Sequence, residues 1–121
     1  MGRERVLVID DEADFAAFVR RVVHKLDFEV EVTSNPREFK EIYRRFDPTT
    51  TVLDIVMPDT DGIELIQWLA WMRCKARLVI VSGFDPNYVE VAQKLGSAAG
   101  LASIVKLKKP ISTADLENAL S

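Results

Sequence analysis

The chain has one cysteine in 121 residues, which excludes a disulfide framework and a cysteine-built metal site. Cys74 reads as an ordinary reduced thiol. No apolar run approaches the roughly 20 residues a membrane span needs. The opening MGRERVLVID turns apolar only for Val6–Ile9, too briefly for a secretory signal. An excess of cations is also missing: 16 Lys and Arg face 19 Asp and Glu, a net charge of −3. General nucleic-acid binding is driven by clustered cations, so it is disfavoured. No glycine-rich phosphate loop follows the first apolar run, and no aromatic pair suits a flavin, so a cofactor carrier has little support. Linkers, repeats and low-complexity segments are absent too. The 48% hydrophobic and 29% charged residues that are present fit a single globular domain, expected in the cytoplasm.

Along the chain, apolar runs and helical patterns alternate. Arg5–Ile9 carries a continuous VLVI run, as a strand buried on both faces does. Phe15, Phe18, Val19, Val22 and Leu26 then follow helical spacing, with Asp11 or Asp14 as the expected N-cap. Phe28, Val30 and Val32 alternate with Glu29 and Glu31, which predicts an edge strand. Ser34-Asn35-Pro36 starts a helix striped by Phe39, Ile42, Tyr43 and Phe46, and Asp47-Pro48 ends it. A third strand, Thr51–Leu53, leads to Asp54. A helix from about Ile63 to Arg73 follows, with Trp68 and Trp71 expected as partly buried packing residues. Leu78–Val81 is a fourth strand. Pro86 opens a helix bearing Tyr88, Val91, Ala92 and Leu95. Ile104–Leu107 is a fifth strand and Ser112–Leu120 a last amphipathic helix. Strict β-α alternation implies a parallel sheet covered by helices on both faces.

Each strand except the edge strand ends on polar groups: Asp10 and Asp11, Asp54, Ser82, and Lys109. In such a sheet they share the carboxyl edge, where ligands bind. Asp54, read from its own stretch alone, could equally cap a turn. Three carboxylates at one edge repel one another unless something neutralises them. A hard divalent cation such as Mg²⁺ does so, and an ammonium and a hydroxyl beside it complete a pocket matched to a phosphoryl group.

These marks, Asp10-Asp11, Asp54 within LDIVMPDTDG, Ser82 in VIVSG and Lys109 before Pro110, resemble those of response-regulator receiver domains of bacterial two-component systems. The resemblance covers essentially residues 1–121. It implies a flavodoxin-like doubly wound α/β/α fold, a five-stranded parallel sheet in the order 2-1-3-4-5 with five helices. Asp54 resembles the phosphoacceptor. Asp10, Asp11, Asp54 and the backbone carbonyl of Val56 resemble the ligands of Mg²⁺, for which Mn²⁺ could substitute. Ser82 resembles the hydroxyl that follows the phosphoryl group, and Lys109 the cation that ties it to strand five. The Lys109-Pro110 bond is usually cis in this family. The implied partners are a sensor histidine kinase or phosphotransfer protein and a downstream effector, with an effector domain after residue 121 one form of the latter. No nucleic acid or membrane contact is implied, and the state is a monomer or a phosphorylation-dependent dimer. Catalysis would extend only to the domain's own phosphorylation and dephosphorylation. The competing reading is a receiver-like scaffold that binds a partner without phosphorylation.

Several positions carry blander readings. Lys106 and Lys108 read as surface charge, and Lys108 is an alternative to Lys109. Asp59–Gly62 lacks most of a calcium loop's ligands and reads as a turn. His24 reads as a solvated helix end. Val56 and Phe84 are apolar at positions that would line the route of an attacking water, which predicts slow dephosphorylation. Lys106 stands three residues before Lys109, where receivers commonly carry an aromatic ring, and is expected to stay exposed rather than swing inward.

Overall fold

The computed structural model describes residues 4–54, 56–57, 60–82, 90, 94 and 103–120. Strand β1 (Arg5–Ile9) leads to helix α1 (Ala13–Lys25), then β2 (Glu29–Thr33), α2 (Pro36–Phe46) and β3 (Thr50–Asp54). Two short strands, β4 (Val56–Met57) and β5 (Thr60–Asp61), precede α3 (Gly62–Trp71), β6 (Arg77–Ser82), β7 (Ile104–Lys108) and α4 (Thr113–Leu120). The expected helix after Pro86 falls largely outside the described residues, as does Phe84; Glu90 and Lys94 are helical. The main sheet is parallel, with five strands in the order β2-β1-β3-β6-β7, the order the resemblance implies.

Alternation along the buried strands divides the core between the two faces. Leu7, Ile9, Leu53, Leu78 and Ile80 pack with Phe39, Ile42, Leu65, Ile66 and Leu69 of α2 and α3. Val6, Val8, Val52, Val79 and Val81 pack with Val19, Val22 and Val23 of α1 and with Leu116 and Leu120 of α4. This explains why β1 and β6 read as unbroken apolar runs: apart from Arg5 and Arg77 at the strand starts, their residues are buried on both faces. Strand β2 lies at an edge, with Glu29 exposed, as its alternation requires.

Helix boundaries follow local chemistry. Asn35 caps α2: its side chain accepts hydrogen bonds from the N–H groups of Arg37 at 2.9 Å and Glu38 at 3.0 Å. Pro36 occupies the first helical turn, where no donor is missed. Asp47 ends the helix with a positive φ of 50°. Replacing Asn35 by Ala should cost about 1 kcal/mol, read as a lower denaturant midpoint with an unchanged slope. Helix α1 departs from expectation. Neither Asp11 nor Asp14 stands at its N-cap; Glu12 does, and its side chain makes no capping bond. That carboxylate is engaged elsewhere.

Trp68 and Trp71 also separate. Trp68 packs edge-on against Tyr43 at 5.3 Å and Phe39 at 6.4 Å, as a partly buried residue should. Trp71 is 74% exposed, contrary to expectation, because it falls outside the face of α3 that meets the core. Cys74 is a free, buried thiol and His24 is exposed, as their sequence context suggests. No helix among the described residues is long and apolar enough to cross a membrane.

Candidate functional site

The parallel register carries polar side chains to one place. Ile9 pairs with Leu53, so the next residues of each strand, Asp10 and Asp54, stand level at the carboxyl edge. Both continue the rows of Val8 and Val52, the face covered by α1 and α4. Lys109 continues the row of Val105 and Leu107 on that same face. Lys106 and Lys108 fall on the other row and are exposed. Parity therefore selects Lys109 rather than Lys108 as the lysine of the site. The Lys109 N–H also donates to the Ser82 carbonyl at 3.0 Å, and its bond to Pro110 is cis.

The Lys109 ammonium gathers three carboxylates. Its Nζ lies 2.8 Å from Glu12 Oε1, 3.1 Å from Asp10 Oδ2 and 3.3 Å from Asp54 Oδ2. It also sits 4.4 Å from the centre of the Phe15 ring, whose face favours a cation. Asp10 is fixed from two sides: its N–H donates to the Thr33 carbonyl at 3.1 Å, and its Oδ1 accepts from the Glu12 N–H at 2.8 Å. The second bond turns the chain so that Glu12 folds back toward the strand ends.

Charge here is unbalanced. Asp10 and Asp54 are buried while one ammonium serves three acids. Burial, followed by the charge of Asp54, raises the Asp10 carboxyl from 3.8 to about 6; the Glu12 N–H and Lys109 oppose that rise. Burial would lower the Lys109 pKa, but Glu12, Asp10 and Asp54 outweigh it and raise the ammonium above the ordinary lysine value. One oxygen from each of Asp10, Glu12 and Asp54 lies within 4.8 Å of the others. Such a cluster of hard oxygens with surplus negative charge fits a metal cation.

The residues singled out from the sequence are thus partly assembled. Asp10, Asp54 and Lys109 meet, and Ser82 is buried at the end of β6, one residue beyond Val81, the partner of Asp54. Asp11 is exposed and does not join the cluster. Glu12 takes part instead, which the sequence reading missed. Val56 lies in the two-stranded ribbon that β4 and β5 form immediately after Asp54. Lys106 is exposed, as expected.

Known proteins resemble this chain in sequence and fold. The family model for the response regulator receiver domain matches residues 6–121. The photosynthetic apparatus regulatory protein RegA of Rhodobacter capsulatus is 28% identical over 121 residues, covering 99% of this chain and 63% of that protein. The chain therefore spans less than two thirds of that relative's length. The chemotaxis protein CheY of Thermotoga maritima is 31% identical over 83 residues, which is 68% of each protein. Among solved structures, a response regulator from Colwellia psychrerythraea superposes with a TM-score of 0.79 at 31% identity, covering 98% of this chain and 94% of the other. A receiver domain protein from Clostridium thermocellum reaches 0.84 at 22% identity, covering 97% and 90%, a likeness of fold. With its acidic cluster at the carboxyl edge, the chain belongs to the response regulator receiver domain family, the phosphorylation-dependent switches of two-component signalling.

Proposed function

We propose that the Asp54 carboxylate is the nucleophile that accepts the phosphoryl group. The observation that carries this is the Lys109 ammonium 3.3 Å from Asp54 Oδ2 and 3.1 Å from Asp10 Oδ2. One Asp54 oxygen attacks phosphorus as the bond to the donor breaks, and the leaving group keeps that electron pair and takes a proton. Lys109 turns from the carboxylates toward the developing charge on the phosphoryl oxygens, and the Ser82 hydroxyl donates to one of them. Burial of Asp54 limits the water that competes with the donor.

Asp10 and Asp54 would hold Mg²⁺, with Asp11 and the Val56 carbonyl as the resemblance implies and Glu12 as a carboxylate at the same edge. When bound, Mg²⁺ supplies positive charge to the phosphoryl oxygens. The domain is a signalling module whose catalysis is confined to its own phosphorylation state. The donor is a sensor histidine kinase, a phosphotransfer protein or a small phosphodonor, and the output passes to an effector in the same or another chain. Cytoplasmic placement fits such a donor.

Calorimetric titration with Mg²⁺ tests the ligand set. Asp10→Asn should weaken binding at least about tenfold, since a buried anionic ligand is lost. Asp11→Asn and Glu12→Gln separate the two remaining acids: the variant with the weaker binding identifies the third carboxylate. Unchanged affinity in Asp10→Asn would contradict the assignment.

A further inference from the structure

Beyond phosphoryl acceptance, the opposite side of the molecule carries a second organised surface. Trp71 on α3 is 74% exposed, the one large exposed hydrophobic among the described residues. A single exposed apolar side chain is ordinary. Here its neighbours are not. Trp68 lies three residues earlier on the same helix, about one turn away. Lys40 and Arg44 of α2 approach the Trp68 ring at 5.6 Å and 5.5 Å from its centre. Those two cations stand four residues apart, one turn along α2.

Some cations face a carboxylate, namely Arg5, Lys25, Arg45 and Lys109. Among the described residues, Lys40 and Arg44 have no carboxylate partner; each instead sits over the Trp68 ring. A chain of net charge −3 therefore gathers two cations on one indole, about one helical turn from a second indole that is exposed. Stacking fixes the two cations with donors left toward solvent, and an arginine fork suits a carboxylate. Tryptophan and arginine are also the side chains that dominate interface energies.

We infer that the α2–α3 face centred on Trp68 and Trp71 docks an acidic helical segment of a partner protein. The one-turn spacing of Lys40 and Arg44 matches carboxylates one turn apart on such a helix, and Trp71 supplies the apolar anchor. A second copy of this chain fits less well. The acid cluster found among the described residues, Asp10, Glu12 and Asp54, lies at the carboxyl edge, so a contact to it would join unlike faces and propagate instead of closing. A nucleic-acid strand would meet the repulsion of the acidic remainder.

The face is built on Phe39, Leu65, Ile66 and Leu69, which are buried in the core and contribute no group to the Asp54 site, so docking is expected with and without phosphorylation. This separates the inference from the reading of Asp54: either can fail alone.

The test uses the full chain and a synthetic alanine-based helical peptide of about four turns, with glutamates one turn apart and one leucine. Its probe is the pair of indole N–H signals of Trp68 and Trp71 in nitrogen-15 spectra. Expected are saturable shifts of both signals, weaker at high salt, of equal affinity with and without beryllofluoride. Trp71→Ala should weaken binding about tenfold, and Lys40→Glu with Arg44→Glu should abolish it. Both substitutions are on the surface and leave the core intact, which the unchanged remainder of the spectrum verifies. The inference is overturned by absent shifts, by binding that survives the double charge reversal, by equal binding of a lysine-for-glutamate control peptide, or by shifts produced only by single-stranded DNA or self-association.

Discussion

Replacing Lys109 by Ala is expected to destabilise the metal-free domain by about 3 kcal/mol at neutral pH, because it removes the counter-charge of two buried acids. Lys109 is 15% exposed at its side chain, and its Asp10 and Asp54 partners are more deeply buried. The Glu12 contact adds little, since that carboxylate is 60% exposed and screened by water. The loss should depend on pH. Lys109 opposes the upward shift of Asp10, so without the lysine Asp10 takes up a proton at higher pH. Acidification then neutralises the repulsion, and the gap between variant and wild type should narrow as pH falls toward about 6. Urea unfolding at several pH values reads this directly; a gap that is constant with pH would show that Lys109 acts by packing alone.

The second large effect has the opposite sign. Asp10 titrates at about 6 in the folded chain against 3.8 for an ordinary aspartate. A raised carboxyl favours the folded state only while protonated. Its contribution is therefore fully present below 3.8 and is lost as pH rises through about 6. In the metal-free protein that loss amounts to roughly 3 kcal/mol. Asp10→Asn keeps the acceptor for the Glu12 N–H and removes the charge, so it should stabilise the metal-free domain at pH 8 and have little effect at pH 4. Metal binding requires the ionised carboxylate, so wild-type Mg²⁺ affinity should fall as pH drops through about 6. A variant no more stable than wild type at pH 8 would mean that burial of Asp10 is already compensated.

Much of this site was legible because it sits on strands. A side-chain period of two and one parallel register are enough to align Asp10, Asp54 and Lys109 once the strands are recognised. Asn35-Pro36 was equally readable, since cap and helix start are local chemistry. What escaped depends on tertiary contact. Glu12 looks like any acid in a first helical turn; only Lys109, 97 residues away, gives it a partner. The Asp10–Glu12 turn was the available signal, and it requires knowing that Asp10 accepts the Glu12 N–H. Trp71 shares its residue type and near-helical spacing with the partly buried Trp68, yet the aromatic cluster of α2 reaches only the latter. The β4–β5 ribbon leaves no sequence signal because two-residue strands carry no period. Nothing in composition announced the cations stacked on Trp68, whose positions depend on how α2 and α3 pack.

The most direct measurement is the intact mass of the protein after incubation with acetyl phosphate and Mg²⁺, for wild type and Asp54→Asn. Wild type should gain the mass of one phosphoryl group, labile in base and absent when the metal is chelated. Asp54→Asn should gain none while keeping its fold, since the amide is nearly isosteric in a site already crowded with carboxylates. A phosphoryl group retained in Asp54→Asn, or none taken up by wild type, would contradict the assignment of Asp54 as the phosphoacceptor.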